Sequence, residues 1–265
     1  MKKTSLILLL FIVTAQTAGA WGSFGHRTIV EMAKNHLTES AKSKIEAAMG
    51  GDIALEASFM DRHRKEDLYR YAYNFHNFAL LPGTTTLSGE LGFDTGGNAV
   101  IGLAMIETYL KHFDTLSPEH QKTVIRMAIH FFADIHCPAH AFFEDHVQRW
   151  KLDLGDGEKP RNFHGFYDHF PEKYLFAGKT EKEAAALLDN CRKGQIRKFS
   201  KGTSEDWLRE CAEYDLKILE INPMPQDTFS TIQAAPQTVE LSIPIVERQM
   251  KAAACRVAAI LNKYL

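Results

Sequence analysis

After its first twenty residues the chain has no long apolar run, no CxxC pair, no internal repeat and no low-complexity tract. Each absence excludes something. Without another stretch of about 20 apolar residues, the body of the chain holds no membrane-spanning helix. Without CxxC there is neither a cysteine-based zinc ribbon nor a thioredoxin-type redox motif. Positive charge is also short: 31 Lys and Arg against 33 Asp and Glu leave a formal net charge of −2. A protein that grips duplex nucleic acid through many phosphates is usually basic. This one must either find local positive charge elsewhere or act on something other than a long duplex. Proline is sparse, and Pro223, Pro225 and Pro236 mark Asn222 to Thr238 as a linker inside a domain. No segment signals an obligate protein partner.

What is present begins at the N-terminus. Lys2 and Lys3, the apolar stretch Leu6 to Val13 and the exit Ala18-Gly19-Ala20 form the pattern of a cleaved signal peptide. Residues 1–20 are therefore read as a leader and 21–265 as one domain of about 245 residues. The expected location is secreted or periplasmic, with no lipid anchor because no cysteine follows the cleavage point. Losing Lys2 and Lys3 takes the charge from −2 to −4. Cleavage after Ala20 also makes Trp21 a chain terminus, with His26 five positions on. A free α-amino group has a pKa of about 7.7–8.0, so zinc displaces its proton near neutrality, whereas an internal amide cannot compete. Cys137, Cys191, Cys211 and Cys255 are compatible with two disulfides in an exported protein, and their spacing selects none of the three connectivities.

Apolar residues at three-and-four spacing predict helices over Gly25 to His36, Ser40 to Met49, Ile53 to Asp61, Gly97 to Phe113, Pro118 to Ile135, Glu181 to Arg192, Ser204 to Leu219 and Thr238 to Leu265. Leu80 to Gly97, rich in Gly, Thr and Ser, reads as a long loop. Trp150, Leu152 and Leu154 alternate before Asp156-Gly157, which predicts a small hairpin within Val147 to Phe163. The expected fold is all-α, a single mostly helical domain with one β-hairpin and long loops.

The chemistry is carried by His130 and Asp134, four apart and so on one helical face, with His140 six residues later. His164 and Asp168 repeat the spacing. Asp61 closes an earlier helix, and His76 sits in an aromatic-rich stretch from Tyr69 to Phe78. Imidazoles, carboxylates and a terminal amine are the nitrogen and oxygen donors that suit zinc. Any single pair is more often a helix-surface hydrogen bond; the repetition favours a metal cluster.

Trp-x4-His at the mature terminus, then Asp, His, His-x3-Asp-x5-His and His-x3-Asp resembles the trinuclear-zinc single-strand nucleases of the mung bean type. That family shares a superfamily with the bacterial zinc phospholipases C. The ligand order is matched at nine positions from Trp21 to Asp168. The resemblance implies three zinc ions. One would be held by Asp61, His76, His130 and Asp134, and a second by Asp134, His26 and the Trp21 amine and carbonyl. A third, more open ion would take His140, His164 and Asp168. Arg64 falls where the family carries a phosphate-contacting arginine, and Asp134 would bridge the close pair as the central catalytic carboxylate. Six positive metal charges against three carboxylates make the site cationic within an acidic chain.

The implied activity is endonucleolytic hydrolysis of single-stranded DNA and RNA to 5′-phosphate products, with nucleotides as further substrates. Two positions depart from the family's base pocket: Asn77 replaces an aromatic and Ala79 replaces an aspartate. Two other readings compete with this one, a zinc phospholipase C and a non-enzymatic helical domain that binds zinc. Asp168, where such phospholipases carry Glu, and the short interval from Trp21 to His26 disfavour the first. The open ligand set of His140, His164 and Asp168 disfavours the second.

Overall fold

Ser117 and Pro118 start the helix on which the site rests: the Ser117 hydroxyl accepts from the His120 amide, and Pro118 takes the first turn, where no partner is needed for its nitrogen. This is a computed structural model, and it describes residues 21–66, 69, 77–88, 99–143, 149–227 and 229–265. Its elements in order are α1 (Gly22–Lys34), α2 (Glu39–Met49), α3 (Phe59–His63), β1 (Phe78–Leu80), α4 (Ala99–Lys111), α5 (Pro118–Asp134), β2 (Ala141–Phe143), β3 (Lys151–Asp153), β4 (Arg161–Asn162), α6 (Phe163–Phe170), α7 (Glu181–Leu188), α8 (Lys193–Phe199), α9 (Ser204–Ile221), β5 (Thr231–Gln233) and α10 (Thr238–Tyr264).

The fold is mostly helical, as expected. The last helix, α10, is its spine. Ala252, Ala253, Ala254 and Ala258 are all buried there, and side chains that small let α1, α5 and α8 approach on different faces. α1 packs between α10 and α7, while α5 lies against α4 and α10.

Several expectations are corrected in detail. The stretch Ile53 to Asp61 is not one helix but a 3-10 turn, Ile53–Glu56, followed by α3. The break frees the Ala57 carbonyl, which accepts from His130 Nδ1 at 2.9 Å. The helix expected to reach Arg192 stops at Leu188, because Asp189 turns to accept from Asn35 and to bond His36. Two helices, α6 and α8, were not expected. In α6, Phe163, Phe166, Tyr167 and Phe170 are buried at three-and-four spacing on one face, a stripe of only two turns that starts within the segment expected to be a hairpin. In α8 no residue is buried, and Ile196 and Phe199 are its half-buried apolar residues.

The hairpin is present as the antiparallel β3–β4 pair, its turn made by Gly155 and Gly157 at positive φ. The linker after Asn222 also contains β5, which joins β3 in parallel. A further parallel pair, β1–β2, aligns Phe78 with Ala141. Of the loop Leu80 to Gly97, residues 89–97 lie outside the described set, and the rest shows one bridge, Leu80 to Leu87.

A buried polar strut joins α5 to α10. His136 donates from Nδ1 to the Phe132 carbonyl at 2.7 Å and accepts at Nε2 from Arg256 at 2.9 Å. Arg256 in turn pairs with Glu210. Burial, then the Arg256 charge, push His136 well below its ordinary value. The unfolded state therefore binds the extra proton below about pH 6.5, and His136 subtracts stability as pH falls through that region. We expect His136→Gln to cost about 1–3 kcal/mol at neutral pH and distinctly less at mildly acidic pH. Urea unfolding of both proteins at the two pH values checks this; an unchanged gap would mean that His136 titrates normally.

Candidate metal centre

Five separate elements deliver the side chains that the sequence singles out. α1 presents His26, α3 Asp61, α5 His130 and Asp134, the Pro138–His140 turn His140, and α6 His164 and Asp168. All seven come together. His26 Nε2 lies 3.0 Å from Asp134 Oδ1 and 3.9 Å from Asp61 Oδ2. His130 Nε2 lies 3.2 Å from Asp134 Oδ2 and 3.5 Å from Asp61 Oδ1. The His26 and His130 rings stack at 4.3 Å. Beside them, His140 and His164 meet nitrogen to nitrogen at 3.0 Å, and His164 Nδ1 is 3.4 Å from Asp168.

Trp21 is held at the same place. Trp21 is fully buried, and its indole donates to the Ala133 carbonyl at 2.9 Å, next to Asp134. Gly22 has φ +53°, and a Cβ there would lie 2.7 Å from the Asp168 carbonyl oxygen. The start of α1 is thus wedged between α5 and α6.

The charges are unusual for an interior. Burial resists ionisation of Asp134, but the His130 and His26 charges beside it hold it far below the usual carboxylate range. Asp61 is lowered by the same two imidazoles against its burial. Burial works against a charged His130, yet Asp134 and Asp61 override it and raise His130 to about 9. In Asp168 burial dominates and raises the carboxyl, while its partner His164 is raised against burial by Asp168 itself.

The decisive feature is unspent hydrogen-bonding capacity. Both nitrogens of His26, Nε2 of His130 and both oxygens of Asp134 are shielded from solvent and make no hydrogen bond, despite their closeness. Buried polar atoms are normally satisfied, so this arrangement suits a cation. Donor atoms of His26, Asp61 and His130 lie within 4.8 Å of one another, a spacing that one metal ion can satisfy. Zinc fits the donor set: neutral imidazole nitrogens and carboxylate oxygens.

His76 lies outside the described residues. Arg64 caps the end of α3, one turn beyond Asp61. The neighbouring histidines have other tasks: His63 stacks on Phe59 and bonds Glu66, His169 bonds the Gly165 carbonyl, and His136 belongs to the α5–α10 strut; His146 lies outside the described residues. The Ala57 and Ala133 carbonyls and Gly22 were not among the expected site residues. No side-chain pattern announces a backbone carbonyl, although a glycine directly after Trp21 was a visible signal.

Buried, under-bonded histidines and aspartates gathered by a helical frame define a metal-dependent hydrolase centre. The S1/P1 nuclease family model matches residues 21–265, and the chain belongs to that family: it is a zinc-dependent nuclease, a hydrolase of phosphate esters. No curated protein matches the chain. Among the described residues, no helix is long and apolar enough to cross a membrane.

Gly22→Ala should be costly out of proportion to its size. It adds left-handed strain and a backbone collision at once, together about 2–4 kcal/mol. Thermal unfolding should show a Tm lowered by several degrees, and an unaltered Tm would show that α1 is not wedged against Asp168.

Proposed function

We propose that this nuclease acts on single-stranded DNA and RNA with three zinc ions, leaves 5′-phosphates and free 3′-hydroxyls, and accepts 3′-nucleotides as small substrates. The observation that carries this reading is the unsatisfied hydrogen-bonding capacity of buried His26, His130 and Asp134, in a chain of the S1/P1 nuclease family. The ligand sets are Asp61, His76, His130 and Asp134; Asp134, His26 and the Trp21 terminus; and His140, His164 and Asp168. Residues 1–20 are a signal peptide whose removal exposes the Trp21 amine, and the enzyme is secreted or periplasmic. The family match beginning at Trp21 supports that boundary.

When bound, zinc supplies Lewis acidity toward a phosphoryl oxygen and lowers the pKa of a coordinated water to about 7. The chain's own residues do the rest. Ala57 takes the Nδ1 proton of His130 and so leaves Nε2 to face the cluster. Asp134 lies between His26 and His130 and is closer to both than Asp61 is, which supports it as the carboxylate shared by the close pair. Among the described residues of the set, His164 has the most exposed side chain, at 15 %, which supports an outer position open to substrate. Arg64, at the end of α3, is the residue proposed to meet the phosphate charge. Ala79 is buried in β1 opposite Phe142 and has no group to read a base edge, which supports broad base tolerance. A duplex is expected to be a poor substrate, because the acidic surface offers little grip on a phosphate backbone. Family membership favours this reading over a phospholipase C or a zinc-storage protein.

Asp134→Asn should cost two zinc ions and nearly all activity, since this carboxylate is shared, whereas Asp168→Asn should deplete one. Elemental analysis distinguishes them: equal single losses would remove Asp134 from the bridging position. For the reaction, mass analysis of products from matched single- and double-stranded oligonucleotides should find 5′-phosphate ends and a preference for the single strand of at least about tenfold. Cyclic phosphates or 3′-phosphate ends would exclude the mechanism.

A further inference from the structure

All four cysteines are thiols in the structure, and they fall into two neighbourhoods. Cys137 and Cys211 are both fully buried in the core behind the metal centre. Cys191 and Cys255 lie apart from it, and their thiols are hydrogen-bond partners of each other. Cys191 is half-buried in the elbow between α7 and α8, while Cys255 is buried on α10.

The elbow is anchored on both sides of Cys191. Two residues before it, Asp189 accepts from Asn35 Nδ2 at 2.8 Å and bonds His36 Nε2 at 2.9 Å, at the end of α1. After it, the Phe199 carbonyl accepts from Arg256 Nε at 2.9 Å, and Ser200 donates to the Cys255 carbonyl at 3.4 Å. The strap thus runs from α1 across α10, and the two thiols face each other where it crosses. Neither thiol belongs to the metal centre.

We propose that Cys191 and Cys255 form a disulfide that latches the α7–α8 strap onto α10, while Cys137 and Cys211 stay reduced. The Cys191 thiolate attacks a sulfur of a small-molecule disulfide, making a mixed disulfide and expelling one thiolate. Cys255 then attacks the Cys191 sulfur and passes its proton to the second thiolate as that group is expelled. Two protein thiols are oxidised, and the reagent disulfide is reduced to two thiols. Cys191 must act first because it alone of the pair has solvent access. The latch closes a loop of about 65 residues, long enough for a substantial loss of unfolded-state entropy. It also fixes the strap that holds the far end of α1, the helix that follows Trp21 and carries His26. Export into an oxidising compartment, part of the functional reading above, would supply the natural oxidant. The latch itself depends only on geometry and is tested without reference to nuclease activity.

The test uses the zinc-loaded protein, reduced and then treated with oxidised glutathione at about pH 8.5, where thiol exchange is not limited by scarce thiolate. Thiols titrated under denaturing conditions should fall from four to two. A non-reducing tryptic map should join the peptides ending at Arg192 and Arg256. The Tm should rise by about 5–15 °C, reversibly on treatment with a phosphine reductant. Cys191→Ser, at a half-exposed position that tolerates the change, should fold and show no rise. Four thiols surviving oxidation, a map that joins any other pair, or the same rise in Cys191→Ser would each overturn the proposal.

Discussion

The structure is organised around buried carboxylates. Asp61 and Asp134 sit in the apolar interior of a helical domain, where an unpaired charge costs several kcal/mol or more. Two imidazoles answer them. Burial would keep His130 neutral, but the two carboxylates hold its proton to about 9. In the folded chain those protons balance buried negative charge, as any bound cation would. A metal ion of the kind this zinc-dependent family uses would compete with them for the same charge, because a ligand imidazole must be neutral.

That constraint explains the local architecture. The four-residue spacing of His130 and Asp134 puts both on one face of α5, and the break at Ala57 turns α3 so that Asp61 faces the same point. The broken helix also frees the carbonyl that orients His130. His26 must come from a different direction to stack on His130, which requires α1 to lie close against α5 and α10. The buried alanines of α10 make that closeness possible.

Much of this was legible in the sequence, and the rest was hidden for physical reasons. His130, Asp134, His164 and Asp168 could be placed because a helical face repeats every three to four residues, and both pairs do lie on helices. The long helices α5 and α9 had caps and amphipathic stripes, and α10 had length and apolar content. By contrast, α6 has an aromatic stripe of only two turns, directly after strand-like alternation, and α8 has only half-buried Ile196 and Phe199, so both stripes are too short to stand out. The strands β1, β2 and β5 are three residues each, too short for alternation to register. Asp189 ended α7 early through a tertiary contact with α1, which no local pattern encodes. Trp21 stood out in the sequence as the residue after the small-residue exit, but its indole bond to Ala133 depends on how α1 meets α5.

The packing of α1 on α10 joins the two ends of the chain. The contact is continued where Asn262 accepts from the Thr38 amide and donates to the His36 carbonyl, and where Ser40 donates to the carbonyl of Leu265. Contacts this distant in sequence form late, because a long loop must close before they reward it. The limb bearing Trp21 and His26 therefore depends for its seat on a helix more than 200 residues away, Thr238–Tyr264. The reactive centre is local in space but not in sequence.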